Sequence, residues 1–510
     1  MNRTAMSLAA TALAVALSGC SSYQQRSQMD DFNAAWVQGD YHAAAAAMEP
    51  GLGLTGKTKD EDKRLLELLH QAEAHRLAGD PATAIALYDQ AETGMKLDET
   101  TGLAAGLLEN GLAVLVNDAE RDYTPMLAET VLVNTYKGLA FLQQGNAEYA
   151  RIEFHRADDR TRRAVESFAE EIAAQRENLA KETAEGADEG AGEDAGAKQR
   201  TIRQSLASDA LQETVASQYG EPSGWSVYPE FIVPSATYLH GLHFLASGQS
   251  GDLDRAATSL SRVAEMTPNN PVLAADAALA ESLAEGRRSR GALGERVWVV
   301  YENGLGPVAE EQRFDVPLVL FHGNTTTPAY TGIALPRYAE RPAVRDTLRV
   351  RGDGEAQALS PFSPMGKVVH TEMQARFPAV LGRAVASAAL KALMQNAAAE
   401  ELGVAGQLGS ALVAAATTRA DVRSWQALPD HWEVARLARP ASGRLTLEGD
   451  TGPLGELTLP DWRYTLVYVK RPSDQSPAEV SLIDLQGRQP GRHLSLDGQA
   501  DADALVADAS

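Results

Sequence analysis

His240 and His243 stand three residues apart in a stretch of helical periodicity, so both rings would lie on one side of a helix, as two metal ligands can. A bound ion needs further donors, and none stands near them in sequence. The pair therefore reads as two core histidines inside a helical hairpin. Phe321-His322-Gly323-Asn324 follows a strand-like apolar run and bears a faint likeness to the oxyanion loop of α/β-hydrolases. That fold also needs a Gly-x-Ser-x-Gly elbow to expose its nucleophile, and the chain has none. There is no phosphate-cradling loop with Lys, no His-Glu-x-x-His and no dinucleotide fingerprint. Paired carboxylates are plentiful, but in an acidic chain most are solvated faces. No catalytic, metal or cofactor-binding residue is assigned from these patterns, and the expected cofactor set is none.

Cys20 is the one residue whose setting implies a covalent event. It is the chain's single cysteine, so neither an intrachain disulfide nor a thiolate metal cluster can form. Arg3 gives a short basic start, Ala9–Leu17 an apolar run too short to span a bilayer, and Leu17-Ser18-Gly19-Cys20 closes it. This is similar to a bacterial lipoprotein signal: residues 1–19 removed, then Cys20 acylated at sulfur and amino group. Ser21 rather than Asp follows, which by analogy with lipoproteins favours outer-membrane sorting. Residues 20–30 would be the tether. A formal charge of -23 argues against nucleic acid and against anionic lipid heads, both of which require clustered cations.

The elements that must position any site are helical first. From Gly145, Gly138 lies seven back and Phe141 four back, while Ala150, Phe154 and Ala157 lie five, nine and twelve on. Small residues at these offsets let two helices approach, and aromatics fill the space between them. Ala84, Tyr88 and Ala91 repeat the offsets from Gly79, and Ala256, Leu260 and Val263 repeat them from Gly251. Phe32, Trp36, Gly39, Tyr41, Ala44 and Met48 outline a further, first hairpin, and a linking helix is expected near Leu103–Val116. The spacing is that of tetratricopeptide-like repeats over residues 31–290, a solenoid whose concave face would receive a partner. Glu148, Arg151 and Glu153 read as charged outer residues. Residues 183–199, acidic and Gly/Ala-rich without a large apolar side chain, are expected to be disordered.

Composition changes near Arg296. Val297–Tyr301 is apolar on both strand faces, Val316–Phe321 carries Pro317 at a start or edge, and Thr331–Leu335 is another candidate strand. Trp432–Leu437, Leu445 with Leu447, Tyr464–Val469 and Val480–Leu485 follow. Residues 377–420 interrupt them with an Ala-rich helical segment, where Gly403, Gly406 and Gly409 suit close packing or a turn into a second helix rather than a membrane span. The fold class is α+β: an N-terminal solenoid, then a smaller, mostly antiparallel β domain over 296–500 with an inserted helical segment.

Several motifs, in order, resemble a family of uncharacterised proteobacterial outer-membrane lipoproteins with tetratricopeptide-like N-terminal repeats. They are Val116-Asn117-Asp118, Ala150-Arg151-Ile152-Glu153, Tyr228-x-x-Phe231-x-x-Pro234, Trp298-Val299-Val300-Tyr301-Glu302-Asn303-Gly304 and Asp421-x-Arg423-Ser424-Trp425-x-x-Leu428-Pro429. Val233 departs from the family's Asn, so no polar role carries over there. The resemblance implies lipid anchoring, helical repeats and no established catalysis, in an envelope setting whose genes neighbour those of relatives of penicillin-binding-protein activators. The expectation is a periplasm-facing outer-membrane scaffold for envelope proteins. Phe141 and Tyr149 on the best-preserved hairpin, with Arg423 and Trp425, are its candidate partner contacts, although Trp425 also suits a helix-to-strand anchor with Arg423 paired to a carboxylate. Two other readings stand beside it: an envelope glycan or ester hydrolase with a site around His322 and Trp425, and a structural oligomer meeting through Gly403–Gly409.

Overall fold

Close approach of paired helices organises the N-terminal half. The computed structural model describes residues 26–49, 64–101, 123–184, 193–249, 251–322 and 325–497. Helix α1 (26–38) precedes α2 (Tyr41–Ala47), α3 (Leu65–Leu77) pairs with α4 (Pro81–Thr101), and α5 (Leu127–Gln143) pairs with α6 (Ala147–Ala184). Helices α7 (Glu193–Leu206) and α8 (Asp209–Gln218) come next. Then α9 (Pro234–Ser247) pairs with α10 (Asp252–Met266), and α11 (Pro271–Ala284) closes the series. The residues five, nine and twelve past Gly79, Gly145 and Gly251 are all at most 2% exposed, so the repeated offsets mark the inner seams of three hairpins. A Cβ on Gly138 would stand 3.1 Å from the Phe154 ring, and one on Gly241 only 2.7 Å from Leu260. Gly145 turns the chain at φ +74°, and a side chain there would also meet the backbone of Gln489 at 2.8 Å.

The C-terminal part begins with β1 (Arg296–Asn303), buried along both faces except at Arg296. Its sheet also takes β6 (Ser360–Phe362), β7 (His431–Ala438), β10 (Tyr464–Arg471), β11 (Ala478–Asp484) and β12 (Arg492–Leu496), in the order β12-β11-β10-β1-β7-β6. All pairings are antiparallel except β1 with β10, which run parallel. One face carries Trp298, Val300, Leu466, Tyr468, Trp432 and Ile483 into the helices' own apolar cluster. The opposite face, with Val297, Val299, Val467, Val469 and Val480, packs on a four-stranded sheet. That sheet is built from β4 (Arg349–Arg351), β5 (Gln357–Ala358), β8 (Arg444–Gly449) and β9 (Gly452–Thr458). The layers are helices, sheet, sheet.

A third cluster belongs to an arm. β2 (Val308–His322) and β3 (Thr325–Ala339) form a two-stranded hairpin whose Val316, Leu318, Leu320, Ile333 and Leu335 pack on α12 (Met365–Thr417) with Leu211 and Val215 of α8. Both strands extend well beyond the expected 316–321 and 331–335. Their polar halves, Ala309–Asp315 and Pro336–Ala339, pair in the same unbroken register. Pro317 does lie on an edge, since a two-stranded sheet has nothing else. Helix α12 starts at Met365, twelve residues before Phe377, and runs through Pro378. Lys391 donates to Thr418 at 3.1 Å, whereas 27 residues of straight helix would separate them by ~40 Å. The segment between them therefore doubles back.

The expected linking helix at 103–116, the signal and Cys20 lie outside the described residues. Of the stretch read as disordered, 185–192 also lies outside them, but helix reaches Ala184 on one side and starts at Glu193 on the other. Helix α7 is held through its later turns, where Ser205 and Thr201 accept from Val319 N and Phe321 N of β2, each at 3.1 Å.

Candidate functional site

Part of the chain itself lies against the helices that were expected to receive a partner. The segment 421–430, which leads from α12 to β7, runs across α1, α3 and α5. Trp425 N donates to Glu129 of α5 at 2.8 Å, and Gln426 N donates to His70 Nε2 of α3 at 3.0 Å. Asn33 of α1 donates to the Gln426 side chain at 2.8 Å. The Trp425 ring is 2% exposed and stands edge-on to Tyr136, 5.7 Å away at 88°. Arg423 forks onto Asp421 at 2.7 and 2.8 Å and lies 5.7 Å from the Tyr123 ring centre. As a partner contact Trp425 is therefore corrected to a core residue, because helix-lined aromatic space is satisfied more readily by a tethered segment than by a free one. Arg423 pairs with a carboxylate, as its alternative reading expected, and keeps 22% of its side chain exposed.

Deeper in the same seam, charges meet between the layers. Glu302 of β1 accepts from Tyr136 of α5 at 2.7 Å, from Lys470 of β10 at 2.8 Å, and from the Tyr468 hydroxyl. Arg76 of α3 pairs with Glu73 at 2.6 Å and lies over the Tyr136 and Tyr468 rings at 5.0 and 5.2 Å. All four charged side chains are fully buried. Burial works to raise the Glu302 carboxyl, but Lys470 and Arg76 outweigh it and hold its pKa below the usual carboxylate range. The sequence signal for this seam was weak: a charge, Glu302, directly after a run apolar on both faces. Nearby, Asp276 of α11 accepts from Tyr238 at 2.6 Å and from Trp298 of β1 at 3.3 Å, and pairs with Arg436 of β7. These contacts position the layers against each other.

The outer side of the third hairpin is different. Phe141 is partly buried and stacks on Tyr149, with ring centres 5.2 Å apart. Tyr149 is 53% and Ile152 40% exposed, and the two follow each other at helical spacing on α6. Of the neighbouring charges, Arg151 turns sideways to Asp252 of α10 at 2.6 Å. Glu153, read as an outer residue, is instead buried, because it receives Asn134 at 2.6 Å and Lys137 at 3.2 Å from α5.

His240 and His243 do not converge. His240 Nδ1 lies 2.9 Å from Ser259 Oγ of α10, while His243 stacks on Phe154 and is bonded to the Leu485 backbone. Among the described residues no three His, Cys, Asp or Glu side chains are placed to hold a metal ion. His322 ends β2. Glu311, near the other end of that strand, accepts from Ala420 N at 2.8 Å, and strand rise puts His322 ~37 Å further along. The five residues from Ala420 to Trp425 span at most ~18 Å, so His322 and Trp425 share no pocket. Among the described residues no helix is long and apolar enough to cross a membrane.

The chain is thus a mixed α/β protein with helices in its N-terminal half and sheets in its C-terminal part. No protein-family model, curated protein or solved structure matches it.

Proposed function

We propose that this chain is a lipid-anchored, periplasm-facing scaffold of the outer membrane, built on tetratricopeptide-like hairpins and engaging envelope proteins, with cell-envelope or peptidoglycan assembly as its setting. The repeat reading is supported by the three hairpins that bury the same offsets past Gly79, Gly145 and Gly251. The tether reading is supported by Leu17-Ser18-Gly19-Cys20 after a short apolar run. With residues 421–430 lying against α1, α3 and α5, the scaffold surface is the outer face of the hairpins. The observation that carries this is exposed Tyr149, stacked on partly buried Phe141 and beside exposed Ile152. Aromatic groups left half in water are the usual anchors of protein contacts.

Two measurements test the reading. A photo-crosslinking residue at Tyr149 or Ile152, in cells, should give a discrete adduct with one envelope protein, while the same residue at exposed Arg287, in the turn after α11, should not. Cys20→Ala should release the protein from the membrane fraction and abolish incorporation of labelled fatty acid. Uniform or absent adducts would remove the scaffold reading, and an unlabelled wild-type protein would remove the tether.

A further inference from the structure

The loop between β11 and β12 brings positive charge to the exposed aromatic face of the third hairpin. A Cβ on Gly487 would stand 2.7 Å from Ala147, the first residue of α6, and one on Gly145 2.8 Å from the Gln489 backbone. Arg488 lies between those two contacts in sequence, so it sits at the foot of α6, close to exposed Tyr149 and Ile152. Gly491 N donates to Gln143 O at 2.8 Å, and Arg492 follows as the first residue of β12. Arg463 and Arg290 extend the strip. Leu485 N donates to Tyr464 O at 3.0 Å, which sets Arg463 beside the start of the loop, its guanidinium 5.3 Å from the Tyr464 ring centre. Gln486 Nε2 donates to Ala246 O at 3.1 Å, next to Leu245 O, which receives Arg290 at 3.2 Å.

Arg463, Arg488 and Arg492 are exposed, and among the described residues no hydrogen bond or ion pair engages their guanidiniums. The acids nearby do not offset them. Asp484 is buried and accepts from Gln486 N and Arg488 N at 3.0 Å each, while Glu295 and Asp461 lie 3.9 and 3.8 Å from Arg439. Glu148, in the first turn of α6, is exposed, and the strip stays positive with it included. The rest of a chain of formal charge -23 repels an extended polyanion or an anionic bilayer. A short segment feels chiefly the charges within a Debye length of ~8 Å, so the arginines dominate what it meets. Guanidinium forks fit carboxylates, and Tyr149 with Ile152 beside them offers an apolar seat.

We infer that the protein partner of this face docks through an acidic segment, with an apolar side chain seated on Tyr149 and Ile152 and its carboxylates on Arg463 and Arg488. This partner chemistry rests on the scaffold reading. Crosslinking in cells from a photo-reactive residue at Tyr149 of the full chain tests it, with native circular dichroism checked in each variant. The adduct should fall at least about tenfold in Arg463→Glu/Arg488→Glu, through like-charge repulsion, and stay within about threefold in Arg463→Lys/Arg488→Lys. Arg345→Glu/Arg444→Glu adds the same negative charge at exposed sites next to the four-stranded sheet and should leave the adduct unchanged. Peptide mapping should find Asp or Glu in the captured segment, and changing them to Lys should restore the adduct in Arg463→Glu/Arg488→Glu. An adduct that survives the double reversal, or a captured segment without acids, would overturn the acidic partner and leave the scaffold standing. Capture of a second copy of this chain, or no adduct from the otherwise unaltered chain, would remove both.

Discussion

His431, the first residue of β7, sits between two carboxylates, 2.6 Å from Asp430 and 3.2 Å from Glu433. Burial disfavours its charged form, but the two acids outweigh burial and hold its pKa up at about 9. Its unfolded value is ~6.5, so the folded protein binds this proton more tightly than the unfolded chain does. The stabilisation is complete below pH ~6.5 and is lost as pH rises through 9, on the order of 2–3 kcal/mol in all. Urea unfolding between pH 6.5 and 9.5 should show that decline, and His431→Gln should flatten it. A wild-type slope that survives the substitution would place the proton elsewhere. Gly241 gives a steric counterpart. A methyl there meets Leu260 Cγ at 2.7 Å and Cδ2 at 2.8 Å, so Gly241→Ala should cost ~1–3 kcal/mol. Adding Leu260→Ala should make the glycine change nearly free, by opening the space it needs. If the two losses simply add in thermal unfolding, the clash is not their cause.

At the scale of elements, α12 joins the arm to the helices. Glu372, in its second turn, accepts from Leu127 N at 2.8 Å and Ala128 N at 3.2 Å, so one helix caps the open N–H groups of α5. Beyond Lys391 the helix doubles back. With Cys20 replaced by Ala, cysteines at Lys391 and Thr418 should be joined by a bis-maleimide of ~10 Å span, whereas a straight helix would hold them ~40 Å apart. Failure to crosslink in the native protein would remove the fold-back. The hairpins were legible because their close approaches demand small residues at set offsets, and β1 because both its faces are apolar. The turn suggested by Gly403, Gly406 and Gly409 falls within the doubled-back segment. What could not be read was every contact whose two halves lie far apart in the chain. Nothing local in Asp421–Pro429 says that Trp425 N meets Glu129 or that Gln426 N meets His70. The polar halves of β2 and β3 were missed for a related reason: Glu310, Glu311 and Arg313 alternate too little with apolar residues to signal a strand, and pairing alone makes them one.

For the whole molecule the decisive feature is that helices and the six-stranded sheet share one apolar cluster, from Phe32 and Trp36 through Tyr136 to Trp298 and Trp432. The layers should then unfold together, although the chain is long enough for separate domains. Lys470→Met tests this at the seam. Lys470 and Glu302 are both fully buried and 2.8 Å apart, and Lys470 also donates to Ala427 O at 3.2 Å. Removing the ammonium leaves the Glu302 carboxylate facing Tyr136 and Tyr468 with its nearest cation gone, a loss of ~3–5 kcal/mol for a broken buried pair. Glu302→Gln in the same chain removes the orphaned charge yet keeps an acceptor for the two tyrosine hydroxyls, so the double variant should regain most of that loss. Because Glu302 touches α5 through Tyr136 and its own sheet through Tyr468, the loss should appear in both layers. The fluorine NMR signals of 5-fluorotryptophan at Trp298 and Trp432 and helical circular dichroism should shift to the same lower denaturant midpoint. Two separated transitions, with only the fluorine signals displaced, would mean that the seam does not couple the layers and that each folds by itself.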